Sequence, residues 1–213
     1  MTASSSLADE LMAQLQGAPL QQLAQQMGAG TDETQQAVGA ALPLMFGAMG
    51  QNAAQPEGAD ALFSALQRDH VPQAAGGLDL GGLLGSLLGG GGAAAGNAAP
   101  ALDGAGILGH IFGGNQQRAE AGLGQATGLG GNAGQLLRLL APIVMAFLAQ
   151  RVHAGGMNPG SLGQTLGQER ERVQQQGGLG GGLLGSLLDQ DGDGRLGMGD
   201  LIKAGGSLFG GRR

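Results

Sequence analysis

The chain lacks cysteine, tryptophan and tyrosine entirely and has only five phenylalanines in its 213 residues. Without cysteine it can form no disulfide framework, no thiolate metal site and no cysteine nucleophile, and its redox compartment stays undetermined. Glycine is abundant instead, with 47 copies. Because each glycine in a helix costs about 1 kcal/mol relative to alanine, helices of this composition must depend on packing for their stability.

Basic residues are also scarce, with 10 Lys+Arg against 16 Asp+Glu, and the first of them is Arg68. Six carboxylates precede Arg68, and this acidic front repels phosphate, so we expect no nucleic-acid partner. Glycine runs such as Gly89 to Gly92 lack the Lys-Ser/Thr pair that follows the glycines of a phosphate loop. We therefore expect no nucleotide partner either.

The sequence contains no segment that is typical of export or of membrane insertion. The N-terminal stretch MTASSSLADELMAQL has neither a basic region nor a continuous apolar run, so it is no secretory signal and the expected location is the cytoplasm. The longest apolar run, Leu136 to Ala149, includes Arg138 and Pro142 and is shorter than the roughly 20 residues of a membrane span. It predicts a buried core helix and leaves only a peripheral membrane contact open.

Apolar residues recur at three- and four-residue steps, and no segment alternates apolar and polar residues, so the predicted fold class is all-α. A kink is expected at Pro43, because proline removes a helical hydrogen bond. The predicted helices are Leu7 to Gln16, Leu20 to Met27, Thr31 to about Met49, Pro56 to about Arg68, Leu78 to Leu88, Ile107 to Phe112, Gln116 to Thr127, Gln135 to His153, Pro159 to Gln176, and Leu179 to Leu188.

Four segments recur in the same order about one hundred residues later, which predicts a tandem duplication of two related multi-helix halves. The matched pairs are LAQQMGAG from Leu23 with LGQATGLG from Leu123, LPLMFGAMGQ from Leu42 with APIVMAFLAQ from Ala141, Leu62 and Leu66 with Leu162 and Leu166, and GGLLGSLL from Gly81 and from Gly181. The predicted organisation is a first helical half (1–88), a Gly/Ala-rich flexible linker (89–105), a second helical half (106–178), and a helix-loop-helix (179–213) with an EF-hand-like loop at 189–200.

The strongest chemical motif is this loop, DQDGDGRLGMGD. It has the twelve-residue EF-hand spacing, in which carboxylates alternate, a glycine (Gly194) permits the sharp turn at the sixth place, and the seventh residue offers its backbone carbonyl. At the twelfth place Asp200 is one methylene shorter than the usual glutamate, so we expect weaker binding than in a cytosolic buffer protein. The predicted ligands of one Ca²⁺ ion are Asp189, Asp191, Asp193, Arg195 through its carbonyl, and Asp200.

A plain Asp/Gly turn is the alternative interpretation of the loop, because these residues dominate turns without any metal. When the two repeats are aligned, the ligand positions fall opposite earlier residues whose side chains cannot bind a cation. One site is therefore predicted rather than two. Single EF-type loops gain stability by pairing, which suggests a homo-oligomer. Asp189, Asp191, Asp193, Gly194 and Asp200 fall opposite Gly89, Gly91, Ala93, Ala94 and Pro100, respectively.

Catalytic patterns are not found. The three histidines, His70, His110 and His153, lie in unrelated contexts without paired-ligand spacing, and no serine lies in a nucleophile elbow. Glu169 and Glu171 alternate with Arg170 and Arg172, which is typical of a solvated helix face rather than of an acid/base pair. The sequence therefore predicts a protein that is not an enzyme.

The chain resembles the YidB-like bacterial family, catalogued as domain of unknown function 937. The resemblance implies a helical, mostly cytoplasmic bacterial protein with no established reaction. The segments that carry it are LAQQMGAGTDETQQAVGAALPLMFGAMGQNA, PEGADALFSALQRDH, GILGHIFGGNQQRAEAGLGQATGLGGNAGQLLRLLAPIVMAFLAQR, LGQER and the terminal LLDQDGDG. The last of these resembles EF-hand and dockerin-type calcium loops.

Two functional hypotheses follow from these observations. The first is a non-catalytic protein that binds one Ca²⁺ at its C-terminal loop, with the metal ordering the helices beside it. The second is a structural or assembly protein, or one that contacts a membrane peripherally, in which the Asp-rich loop is only a turn and the Gly/Leu-rich helices dock onto a partner.

Overall fold

The computed structural model describes residues 6–67 and 104–176 of the chain. Within those two ranges the protein forms eight α-helices, two short 3-10 turns and no strand, which confirms the all-α fold class. The helices are α1 (Leu7–Leu15), α2 (Ala18–Met27), α3 (Thr31–Asn52), α4 (Pro56–Ala65), α5 (Gly104–Phe112), α6 (Gln116–Thr127), α7 (Ala133–Gly155) and α8 (Pro159–Gln176).

Most helix bounds agree with the sequence pattern, and α6 and α8 have the predicted ends. Helix α5 begins at Gly104, so Gly104 and Ala105, which the sequence assigned to the linker, are helical. Helix α3 continues through Pro43 as far as Asn52. The helices predicted at 78–88 and 179–188, the rest of the linker and the loop at 189–200 lie outside the described residues.

Helix ends are set by local sequence signals. Before α1, the Ser6 hydroxyl accepts a hydrogen bond from the Asp9 amide at 2.9 Å, and the Asp9 carboxylate accepts one from the Ser6 amide at 3.3 Å. This reciprocal capping box satisfies amides that have no partner inside the helix. Helix α2 ends at Gly28, whose φ of 63° places it in the left-handed region that glycine enters without a steric penalty.

Helices α3 and α7 form the centre of the hydrophobic core, and both are buried over most of their length. They meet at Phe46 and Phe147, whose rings pack edge to face with centroids 6.3 Å apart. Helices α1 and α2 pack on α3, while α5 and α6 pack on α7. Two sets of helices, α1–α4 and α5–α8, thus follow the same order, two short helices and then a long one with an internal proline.

The segment Gly130–Gly155 is long and apolar enough to cross a membrane, with a mean hydropathy of 1.4 in its most apolar window. However, 83% of that window is buried inside the protein. Such burial is typical of a core helix in a folded domain, and length and composition alone are a weak indication of a membrane span.

The two sets of helices are joined mainly by α8, which packs along α3 and against α4. The tightest approach is at Gly50 of α3, where an added Cβ atom would lie only 2.3 Å from the backbone carbonyl oxygen of Leu166. No side chain fits at that distance, so glycine at position 50 is what allows the two helix backbones to touch.

Candidate functional site

The predicted calcium ligands lie outside the described residues, so the structure does not place them relative to one another. They are Asp189, Asp191, Asp193, Arg195 and Asp200. Within residues 6–67 and 104–176, no group of three or more His, Asp or Glu side chains could hold a metal ion. The C-terminal loop therefore remains the only metal site that we predict, and it stays a prediction.

Two of the three histidines are described, and both are exposed. His110 lies in the last turn of α5, and its backbone carbonyl accepts a hydrogen bond from Asn52. His153 lies in the last turn of α7, where an imidazolium would interact favourably with the helix dipole. His70 is outside the described residues.

The burial of Glu169 contradicts the sequence prediction for α8. The alternation of Glu and Arg predicted a solvated face, but Glu169 is only 4% exposed and belongs to the protein interior. Glu171, two residues on, is exposed as predicted. The prediction is wrong for Glu169 because helical spacing places it above Leu162 and Leu166 on the side of α8 that packs on α3 and α4.

The surroundings of Glu169 leave part of its hydrogen-bonding capacity unused. One carboxylate oxygen, Oε2, lies 3.7 Å from Nη1 of Arg172, which is beyond normal hydrogen-bond distance. Among residues 6–67 and 104–176, the other oxygen, Oε1, has no hydrogen-bond partner and is buried, and the same holds for Nε of Arg170. An unpaired buried polar group costs about 1–3 kcal/mol, and more when it is charged.

A shallow opening of about 420 Å³ lies at the C-terminal end of α7. Its described lining is largely apolar and includes one imidazole and one amide, but no carboxylate. The described residues that line it are Leu66, Gln67, Ala149, Val152, His153, Gly156 and Met157. This composition fits an apolar contact and offers no acid/base pair for a reaction.

Two polar contacts join the helix sets at the ends of the long helices. Nδ2 of Asn52, the last residue of α3, donates to the backbone carbonyls of His110 and Ile111 at 3.0 and 2.9 Å. These carbonyls lie at the end of α5, where helical carbonyls lack partners within the helix. Near the end of α7, Arg151 forms an ion pair with Glu10 of α1. Neither contact was predicted, because each pairs residues far apart in sequence.

Comparison with known proteins places most of the chain in one family. The model of DUF937, described as a bacterial protein of unknown function, matches residues 9–151. No curated protein matches the chain. No solved structure matches it either.

Proposed function

This chain belongs to the DUF937 family of bacterial proteins of unknown function, and from that premise we propose that it is a non-catalytic, calcium-responsive helical protein. The observation that carries the proposal is the spacing of carboxylates from Asp189 to Asp200. The family match ends at Arg151, so the proposed metal site lies in a part of the chain that follows the family region.

The donor set suits a hard cation that prefers oxygen ligands. Asp189, Asp191 and Asp193 supply alternating carboxylates, Arg195 supplies its backbone carbonyl, and Asp200 supplies the carboxylate at the twelfth place. Calcium bound there would stabilise the folded form of the segment, because binding free energy that requires a folded site becomes folding free energy.

We also propose that the helix sets arose by tandem duplication. The aligned segments Leu42–Asn52 and Ala141–Arg151 place Asn52 opposite Arg151, and each of these two residues contacts the first helix of the other set. The same alignment places Gly50 opposite Ala149. Gly50 meets Leu166 of α8, while Ala149 and Leu66 border the opening at the end of α7. Asn52 and Arg151 thus make equivalent contacts between the sets, which supports the proposal.

Calorimetric titration of the chelator-stripped, full-length protein with Ca²⁺ tests the proposed function. We expect saturable binding that is lost in Asp189→Ala and in Asp193→Ala, because each variant removes a ligand. Asp60→Ala is the matched control, since Asp60 is an exposed carboxylate of α4 outside the loop. No heat at millimolar calcium, or equal loss of binding in Asp60→Ala, would contradict the proposal.

A second candidate is an assembly or membrane-peripheral protein, and the apolar opening at the end of α7 favours it. The two candidates make different predictions for a calcium-free cell extract, in which the calcium-responsive protein stays in the cytoplasmic fraction. Recovery with membranes would favour the second candidate.

The oligomeric state is a separate test. A single EF-type loop that pairs with its copy in a second chain predicts a calcium-dependent homodimer in sedimentation measurements. A monomer both with and without calcium would remove the homo-oligomer from the proposal.

A further inference from the structure

We draw no further inference here: the strongest candidate, the apolar opening at the C-terminal end of α7 that Leu66, Val152 and Met157 border, lies beside Gln67 at the edge of the described range 6–67, and nothing in the structure shows what covers it.

Discussion

The close approach of α3 to α8, at Gly50 and Leu166, can be compared with the surroundings of the residues aligned with these two, Ala149 of α7 and Leu66, which follows α4. Gly50 lets the backbones of α3 and α8 touch at Leu166. Ala149 and Leu66 instead border an opening of about 420 Å³. Glycine permits the first arrangement, because a helix can approach a glycine more closely than any residue with a Cβ. The lack of a side chain at position 50 is therefore what brings the backbones of α3 and α8 into direct contact.

Truncation of Leu166 and of Leu66 should give the largest losses of stability. Both Leu166 and Leu66 are fully buried, and Leu→Ala in a core costs about 2–5 kcal/mol. We expect about 3–4 kcal/mol for Leu166→Ala, which leaves a cavity in the α3–α8 crossing, and about 2–3 kcal/mol for Leu66→Ala, which borders the opening. Urea denaturation measures both free energies of unfolding. Equal losses, or a larger loss for Leu66→Ala, would contradict the distinction between the α3–α8 crossing and the opening.

Gly50→Ala should separate the helices at the α3–α8 crossing. The added Cβ would lie 2.3 Å from the Leu166 oxygen, so the backbones must move apart, and we expect a loss of about 2 kcal/mol in stability. Gly39→Ala is the matched control on α3, because an added Cβ there meets nothing within 4 Å. That control should gain up to about 1 kcal/mol from helix propensity. A gain of stability in both variants would show that Gly50 is not needed for the close approach of α3 to α8.

Removal of the polar contacts between the helix sets should give the smallest losses of stability, and the two losses should differ. Asn52→Ala removes two hydrogen bonds to carbonyls at the end of α5, for a loss of about 1–2 kcal/mol. Arg151→Ala removes an ion pair whose side chains are 44% and 33% exposed, for a loss below about 1 kcal/mol that declines further at high salt. Thermal unfolding at low and high salt measures both losses. A salt-dependent loss in Asn52→Ala would contradict this assignment.

Much of the fold was predictable because the helix signals are local. The bounds of α6 and α8 follow from apolar spacing, from glycine at the end of α6 and from proline at the start of α8. The start of α5 was missed by three residues, since Gly104 and Gly106 give no helical signal of their own. Gly104 is buried and lies so close to α7 that an added Cβ would be 2.1 Å from the Arg138 oxygen. Tertiary packing therefore overrides its low helix propensity.

For Glu169 the sequence contained a signal for burial, but the charge pattern led to the opposite prediction. Its neighbours in sequence alternate in charge, which favoured a solvated face, but the spacing of Leu162, Leu166 and Val173 places position 169 on the apolar side of α8. Helical periodicity was the stronger signal here. The choice of α3 as the partner of α8 was not predictable, because the close approach at Gly50 depends on residues that the sequence separates widely.

The most direct test of the account is the number of calcium ions bound per chain, measured by equilibrium dialysis of the full-length protein. We predict one ion, because positions 189, 191, 193 and 200 carry carboxylates, whereas the positions one hundred residues earlier have glycine, alanine and proline. No bound ion at millimolar calcium would contradict the metal site. Two ions per chain would contradict the prediction that only the loop at 189–200 binds calcium.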